Sequence, residues 1–153
     1  MNVTDCIFCR IIARTEPAEI LYENEDAIGI LDIHPIHFGH SLVIPKRHCA
    51  EFVQLPPDSF HGVMTALSEV SRGLVSGLNL EGFNIFSNNG TVAGQSVFHF
   101  HFHITPRYRD DNIKFVLKLK HYSDGELATY ADRIRASIHS ERQTQLRSNS
   151  GNE

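Results

Sequence analysis

The chain has 153 residues, of which 41% are hydrophobic, and this size and apolar content predict one domain with a real core. The formal net charge is −4 and there is no basic run, which argues against a nucleic-acid polymer as partner. No apolar run approaches the roughly 18 residues that span a bilayer and the N-terminus has no secretion signal, so we expect a cytoplasmic protein without membrane contact.

The first half of the chain predicts a short helix followed by three strands. Apolar residues between Cys6 and Arg14 follow helical spacing, and Pro17 ends this helix. The strands are bounded by residues typical of turns and cover residues 20–22, 27–31 and 41–44. An acidic segment, 23–26, suits a hairpin turn between the first two strands, and Pro45 ends the third.

The second half predicts a long helix, two further strands and a C-terminal extension. From Asp58 to about Leu78 apolar residues recur with helical period, so that one face of the helix points inward. The two strands cover residues 83–86 and 97–105. A loop rich in Gly and Asn, 88–94, lies between them and can bring backbone N–H groups close to a ligand. A moderately amphipathic helix near 125–138 precedes a polar tail, 140–153, which we expect to be disordered.

The main chemical feature is the alternation His99-Phe100-His101-Phe102-His103-Ile104. Residues two apart share one face of a strand, so the three imidazoles are predicted to lie on one face, about 6–7 Å apart, and the phenylalanines on the core side. Three imidazoles at this spacing can act on one ligand. A solvated polar face is one alternative, although histidine is a poor strand former. A three-histidine metal site is another, which requires the strand to bend.

Two of the three cysteines form the pair Cys6-x-x-Cys9 near the N-terminus. In a cytosolic chain such a pair is typical of a metal site or a redox pair rather than of a disulfide framework. Cys49 lies outside this pattern.

The run from His99 to Thr105 resembles the signature of the histidine-triad family, His-φ-His-φ-His-φ-φ with φ apolar, and Thr105 is its one soft departure. Other segments resemble the Hint branch of that family and its bacterial relatives: residues 31–33, 42–48, 88 and 95–98. The resemblance implies an α+β fold, an antiparallel sheet of about five strands with helices on one face. It also implies a homodimer, in which two copies pair through the long helix and a neighbouring strand.

The domain organisation expected from this resemblance is simple. One domain covers residues 1–139, with its core at 6–107 and a C-terminal extension with a helix at 108–139. The polar tail, 140–153, follows it.

The resemblance implies that His101 is the nucleophile, which attacks an α-phosphorus to give a nucleotidyl-histidine intermediate. A neutral imidazole suits this role if an acceptor holds its second nitrogen, and we expect that acceptor to be a backbone carbonyl of the triad segment. His99 and His103 are expected to donate hydrogen bonds to the phosphate as charge develops. His40 matches a position that is commonly histidine in the family, where it supports the triad.

The resemblance also implies nucleotide contacts from two loops. Asp32, beside Ile33, is expected to accept hydrogen bonds from the ribose hydroxyls, and starting a turn is its alternative role. Gln95 and Ser96 are expected to bind the phosphate or protonate the leaving group, with loop capping as the alternative. Asn88 is expected on the phosphate side, with turn formation as the alternative.

Four residues match the zinc ligands of the bacterial branch: Cys6, Cys9, His48 and His99. A closed tetrahedral site of this kind has a structural role, attaching the N-terminus to the sheet. His99 then belongs to both the zinc site and the triad. Two buried free cysteines are the alternative.

The function implied is that of a nucleotide hydrolase or nucleotidyl transferase acting on a purine nucleotide conjugate. A phosphoramidate, an aminoacyl adenylate and a dinucleoside polyphosphate all fit, because they share the nucleoside monophosphate half. One alternative is a nucleotide-binding regulatory or scaffold dimer with incidental hydrolysis, and another is a zinc-dependent hydrolase built on the triad. His103 argues against a related transferase branch that has Gln at this position.

Overall fold

The computed structural model describes residues 5–114 and 116–150, and side chains up to residue 141. The chain divides after Asn112 into two compact units. Among the described residues the first unit contains five strands and two α-helices, and the second contains one long α-helix. No helix in the described ranges is long and apolar enough to cross a membrane.

The strands form one antiparallel sheet in the order β1-β2-β3-β5-β4, which confirms the predicted sheet. Their bounds are β1 Ile20–Glu23, β2 Ala27–Leu31, β3 Ser41–Pro45, β4 Gly82–Phe86 and β5 Phe102–Arg107. The hairpin between β1 and β2 closes on Asn24, whose Oδ1 accepts hydrogen bonds from the backbone N–H groups of Asp26 and Ala27 at 2.9 and 2.8 Å. An Asn side chain at this position therefore makes the turn that the sequence predicts.

Helices cover both faces of the sheet. One face packs against α1 (Ile7–Ile12) through a cluster of buried apolar residues: Phe8, Ile11, Ile28, Ile30, Leu42 and Ile44. The other face packs against α2 (Phe60–Leu78) through a second cluster: Ala27, Val43, Val63, Leu67, Val70, Leu74, Phe100 and Ile104. The expectation of helices on one face is wrong, because β2 and β3 are apolar on both faces and each face requires a covering layer.

The segment that contains the three histidines enters the sheet later than predicted. β5 begins at Phe102 rather than at Val97, so His99 and His101 lie before the strand. The backbone N–H of Phe100 donates to the carbonyl of Cys49 at 2.7 Å, which ties this segment to a loop instead of to β3. The alternation still holds, since Phe100 lies in the α2 cluster and the His101 ring lies against α1.

The second unit contains α3 (Glu126–Ser150), which starts where the sequence predicts a helix but continues further. The residues from Ser140 to Ser150, expected to belong to a disordered tail, are therefore helical. The stretch contains no Pro or Gly and many good helix formers, so propensity extends the helix after the apolar pattern has ended. Residues 151–153 of the predicted tail lie outside the described residues, and the single domain over 1–139 stays a prediction.

Candidate active site

A cavity of about 430 Å³ lies between α1 and the sheet, within the size range of small-molecule sites. Part of its lining is apolar: Ile7, Phe8, Ile11, Pro17, Ile30 and Leu42. The predicted site residues in the lining are Asp32, Ile33, Ser96, His101 and His103. The structure therefore brings together five of the expected ligand contacts beside an apolar surface.

The proton on His101 is assigned by one short contact. His101 Nδ1 lies 2.7 Å from the carbonyl oxygen of His99, which confirms the expected backbone acceptor. A carbonyl only accepts, so Nδ1 carries the proton and Nε2 of the neutral ring keeps its lone pair. Burial lowers the pKa of His101, which favours this neutral form near pH 7.

The proton on His103 is assigned by a chain of two hydrogen bonds. The backbone N–H of Ile36 donates to His40 Nδ1 at 3.2 Å, so the proton of neutral His40 resides on Nε2. His40 Nε2 in turn donates to His103 Nδ1 at 3.0 Å, which leaves the proton of His103 on Nε2. His40 thus supports the triad, as the sequence predicts.

The two cavity histidines therefore have opposite tautomers. His101 presents an unprotonated Nε2, and His103 presents an N–H donor. The His103 ring is held between the rings of His40 and Phe86, with centroids 5.1 and 4.7 Å away and interplanar angles of 23° and 13°. Packing thus fixes the plane of the donor while the hydrogen bond fixes its proton.

Burial also keeps the His40 and His103 pair neutral. It lowers the pKa of His103 from 6.5 to about 4, with further lowering by His101 and His40 and a small opposing effect of Asp32. Burial also lowers the pKa of His40, although the negative charge of Asp32 acts in the opposite direction. Neither imidazole therefore carries a positive charge at neutral pH.

We expect this pair to make stability depend on pH. Because the pKa of His103 in the folded chain, about 4, lies below its ordinary value of 6.5, the unfolded chain binds more protons between these values. Stability from this group is fully present above pH 6.5 and is lost as the pH falls towards 4. His103→Gln should therefore reduce the loss of unfolding free energy between pH 7.5 and pH 5 by about 1–2 kcal/mol.

The measurement is urea unfolding of the two proteins at a series of pH values. The matched control is His61→Gln, which removes an exposed imidazole from α2 and should keep the wild-type pH dependence. If the free energy of unfolding of His103→Gln depends on pH as it does in the wild type, His103 is not buried as a neutral ring.

The predicted zinc ligands converge on one point. The ligand atoms of Cys6, Cys9, His48 and His99 all lie within 4.8 Å of one another. His99 Nδ1 lies 3.5 Å from each of the two sulfurs and 3.2 Å from His48 Nδ1, and Cys9 Sγ lies 3.3 Å from His48 Nδ1. In a tetrahedral zinc site the bonds are about 2.3 Å to sulfur and about 2.0–2.1 Å to nitrogen. These lengths place a sulfur and a nitrogen ligand about 3.5 Å apart and two nitrogen ligands about 3.3 Å apart.

The protonation of this cluster also suits a cation. His99 Nε2 donates to the carbonyl of Pro45 at 2.8 Å, so the unprotonated Nδ1 faces the cysteines. Burial raises the pKa of the Cys9 thiol to about 11, so that a thiolate at neutral pH requires a nearby cation. Cys49 lies outside the cluster, as expected. The four side chains therefore have the donor set of a zinc site, and the four short separations and the His99 tautomer suit one.

His99 does not serve the cavity. Its side chain is fully buried, both ring nitrogens have partners, and it is not part of the cavity lining. The expectation that His99 donates to a phosphate does not fit this geometry. The physical reason is that the bend before β5 turns the first imidazole towards the N-terminal cysteines, whereas His101 and His103 face the cavity.

Asp32 makes the turn that was one of the two roles considered for it, and its contact with a ribose stays a prediction. Its Oδ1 accepts a hydrogen bond from the backbone N–H of His34 at 2.8 Å, which makes a turn. Its Oδ2 lies 3.4 Å from His40 Nδ1, and the residue lines the cavity. One carboxylate oxygen therefore holds the loop, the other lies near His40, and the residue forms part of the cavity wall.

Gln95 and Asn88 are not in the cavity lining. The Gln95 amide donates to the carbonyls of Ala50 and Val97 at 2.6 and 3.1 Å, and its oxygen accepts from the backbone N–H of Gly90 at 2.8 Å. These hydrogen bonds hold the loop together, so the Gln95 side chain has the loop-capping role that the sequence analysis gave as its alternative. Asn88 is half-buried, and its Nδ2 lies 3.5 Å from the carbonyl of Gly94.

Two aromatic residues of the site were not singled out by the sequence. Phe8 places its ring edge against His99 and His101, with centroids 5.9 and 4.9 Å away. Phe86 stacks on His103. Both belong to apolar patterns that equally predict core positions, so only spatial proximity to the histidines distinguishes them.

Comparison with known proteins places the chain in a family. A family model described as the HIT domain matches residues 13–110. The chain is 44% identical over 112 residues to an uncharacterized HIT-like protein of Methanocaldococcus jannaschii, covering 72% of this chain and 86% of that protein. It is 39% identical over 107 residues to adenylylsulfatase HINT3 of Arabidopsis thaliana, covering 70% of this chain and 54% of that protein.

A solved structure agrees with these relatives. The crystal structure of a Zn-bound histidine triad family protein from Mycobacterium smegmatis is similar to this one with a TM-score of 0.68 and 35% identity, covering 92% of this chain and 99% of that chain. Both the sequence match and the fold thus point to one family. The chain belongs to the HIT family, whose histidine triad is formed here by His99, His101 and His103.

Proposed function

We propose that this protein cleaves at the α-phosphate of a purine nucleotide conjugate through a covalent intermediate on His101. Membership of the HIT family supports a nucleotide hydrolase or transferase in general, and the Arabidopsis relative is named an adenylylsulfatase. The observation that carries the specific proposal is the pair of opposite tautomers at the cavity. One imidazole is ready to attack while its neighbour is ready to donate a hydrogen bond.

In the first step the lone pair of His101 Nε2 attacks the α-phosphorus. A P–N bond forms and the bond from phosphorus to the leaving group breaks. The His103 N–H stabilises the charge that develops on the phosphate oxygens, and the Ser96 hydroxyl, which lines the cavity, passes a proton to the leaving group. Water or another acceptor then attacks the same phosphorus, returns its proton to Ser96 and releases His101 as a neutral ring.

The hydrogen bond from His101 Nδ1 also stabilises the intermediate. When Nε2 bonds to phosphorus, positive charge spreads over the imidazole ring. The carbonyl of His99, 2.7 Å from Nδ1, then accepts a stronger, charge-assisted hydrogen bond. This interaction strengthens during the reaction, which is the kind of contact that raises the rate rather than the ground-state affinity.

The apolar part of the cavity is suited to the nucleoside. Ile33 is 83% exposed beside the buried residues of the α1 cluster, and a flat purine lying on it would cover this surface. The Asp32 carboxylate, which lines the cavity, is suited to the ribose hydroxyls. The ribose and base are therefore bound by residues other than those that act on the phosphate.

Asp32→Asn tests the ribose contact without removing the turn, because the Asn side-chain oxygen can still accept the hydrogen bond from His34. We expect binding of a ribonucleotide to weaken by about 1–3 kcal/mol, because a charge-assisted hydrogen bond is lost. Calorimetric titration with a nucleoside monophosphate and its 2′-deoxy and 3′-deoxy analogues measures the effect. An unchanged preference for the ribonucleotide would leave Asp32 with the turn alone.

We also propose that Cys6, Cys9, His48 and His99 hold one zinc ion with a structural role. The Mycobacterium smegmatis relative is described as Zn-bound, and four of the separations between the ligand atoms here, 3.2–3.5 Å, match those around a tetrahedral zinc ion. Four protein ligands leave no open coordination position, which disfavours the alternative of a catalytic zinc hydrolase. When bound, the ion supplies a cross-link between the N-terminus and the triad segment.

A homodimer is part of the proposal. α2 and the edge strand β4 expose an apolar face beside a hollow of about 500 Å³. Its large exposed side chains are Met64, Val75, Phe83 and Ile85. Such a contiguous face is typical of an interface between protein chains.

The deciding experiment is a panel of purine nucleotide phosphoramidates, aminoacyl adenylates and dinucleoside polyphosphates, with the intermediate trapped by acid quench and mapped by mass spectrometry. We expect a nucleotidyl adduct on the peptide that contains His101. Tight nucleotide binding without turnover or adduct on any member of the panel would favour the regulatory or scaffold alternative.

A further inference from the structure

The cavity between α1 and the sheet crosses several strands. His103 on β5 is paired with Leu42 on β3, Leu42 is paired with Ile30 on β2, and all three line the cavity. Ile30 is paired in turn with Ile20 on β1, the edge strand. Because neighbouring strands lie about 4.7–4.9 Å apart, β1 lies about 14–15 Å from β5 across the sheet. The proposed phosphate site is therefore at one end of the cavity, and the other end lies towards β1.

Glu16 lies at the end towards β1. It lines the cavity within the segment 16–18, which leads into that strand. The carbonyl of Glu19 accepts a hydrogen bond from the backbone N–H of Leu31 at 3.0 Å, so the chain before β1 stays beside the end of β2. Glu16 therefore brings a carboxylate to the end of the cavity opposite His103.

The end of α1 holds the backbone of Glu16. The carbonyl of Arg10 accepts hydrogen bonds from the backbone N–H groups of Thr15 and Glu16 at 2.9 and 3.2 Å. Glu16 Oε2 lies 3.5 Å from Arg10 Nε, and both side chains are 40% exposed. An ion pair as exposed as this contributes little, so the carboxylate remains able to accept hydrogen bonds from a ligand. Among the described residues no Lys or Arg lines the cavity.

A carboxylate at this end distinguishes purines by the donors on their Watson–Crick edge, because it only accepts hydrogen bonds. Guanine carries two donors side by side, N1–H and the N2 amino group, and these match the two oxygens of a carboxylate. Hypoxanthine keeps N1–H but lacks the amino group. Adenine has one donor, its N6 amino group, and it directs the lone pair of N1 towards the carboxylate, which repels it. Guanine is therefore the purine that a carboxylate binds best.

We propose that Glu16 makes the cavity prefer guanine over adenine, so that the substrates are guanine nucleotide conjugates. This inference rests on the proposed function, because the base can reach Glu16 only when the phosphate lies at the opposite end. With the phosphate beside His103 and the ribose beside Asp32, the apolar wall carries the base and its Watson–Crick edge meets Glu16. The base then shields a half-buried carboxylate from water, which strengthens the hydrogen bonds between them.

The test is calorimetric titration of the full chain with four nucleotides: the monophosphates of guanosine, inosine, adenosine and 1-methylguanosine. We expect guanosine monophosphate to bind about thirtyfold more tightly than adenosine monophosphate, with inosine monophosphate between them. The 1-methyl group removes the N1 donor and occupies its place. This nucleotide should therefore bind about tenfold or more weakly than guanosine monophosphate.

Glu16→Gln changes the donors and acceptors of the side chain without changing its size. The amide can accept from the N6 amino group of adenine and donate to its N1. We expect guanosine monophosphate to bind about tenfold more weakly and adenosine monophosphate about threefold more tightly than in the wild type. Glu16→Ala should weaken guanine binding similarly but give no gain for adenine. Circular dichroism checks the fold of both variants, and a gain for adenine is not expected of a residue that only supports the fold.

Glu19→Gln is the matched control. It removes the same charge from the same segment, but Glu19 is exposed and is not in the cavity lining. The wild-type order of affinities should therefore be kept.

The possible failures are distinguishable from one another. Equal affinities for guanine and adenine nucleotides, a preference for adenine, or a guanine preference that Glu16→Gln leaves unchanged would overturn the role of Glu16. An adduct on His101 would then still support the proposed function. The absence of saturable binding of all four nucleotides would contradict the nucleotide site itself, and this inference with it.

Discussion

His101→Asn is expected to lower turnover by on the order of 10³-fold or more while nucleotide affinity changes far less. The reason is that Nε2 of His101 is the unprotonated nitrogen at the cavity, and the Asn amide cannot form the nucleotidyl intermediate. The other cavity contacts, Asp32, Ser96 and His103, are unaltered and continue to bind the ground state. Single-turnover kinetics and calorimetric nucleotide titration on the same preparation measure the two effects separately.

His61→Asn is the matched control, since it removes an exposed imidazole of α2 and should retain wild-type turnover. Loss of the mass-spectrometric adduct in His101→Asn must accompany the loss of rate. If turnover stays within about tenfold of wild type with the fold intact, another group attacks the phosphorus and the covalent mechanism on His101 is wrong.

Loss of the zinc ligands should have the largest effect on stability. The double variant Cys6→Ser with Cys9→Ser removes both thiolates from the cluster, and zinc binding in such sites contributes directly to folding. We expect the thermal midpoint of the purified protein to fall by roughly 10–20 °C. Chelator treatment of the wild type should produce a similar fall, and elemental analysis before treatment should give about one zinc per chain.

Cys49→Ala is the control for loss of a thiol. Cys49 is buried in the α2 cluster and lies outside the zinc ligand set, so this variant should lower the midpoint by a few degrees at most and keep its zinc. Wild-type protein that takes up no metal when zinc is supplied under reducing conditions, with both N-terminal thiols freely alkylated, would contradict the assignment.

The proposed zinc ligands and the proposed nucleophile are linked through one residue. The His99 ring is a member of the cluster, and its backbone carbonyl accepts the hydrogen bond from His101 Nδ1. Fixing the ring therefore also fixes the carbonyl that sets the tautomer of the nucleophile. The cysteine variants should retain only part of the wild-type turnover, because His101 remains present but its orienting carbonyl is held less firmly.

The sequence alone determined the number and order of the strands, the long helix and the residue types of the candidate site. Period-two and helical patterns placed β2 at 27–31 and the long helix up to Leu78, because apolar periodicity reflects which faces are buried. The alternation of His and apolar residues predicted imidazoles on one face, and the Cys-x-x-Cys pair indicated a metal or redox site. The family resemblance then assigned the proposed roles of nucleophile, phosphate contact and zinc ligand to individual residues.

Only the tertiary structure decided which of the three histidines face the cavity and which nitrogen of each ring carries the proton. The bend before β5 depends on the hydrogen bond between Phe100 and Cys49, residues far apart in the chain, and it turns His99 away from the cavity. The tautomers of His101 and His103 depend on a carbonyl and a backbone N–H that no local pattern encodes. Sequence periodicity reports which side of an element is buried, whereas the position of a proton depends on the particular atoms that folding brings within hydrogen-bond distance.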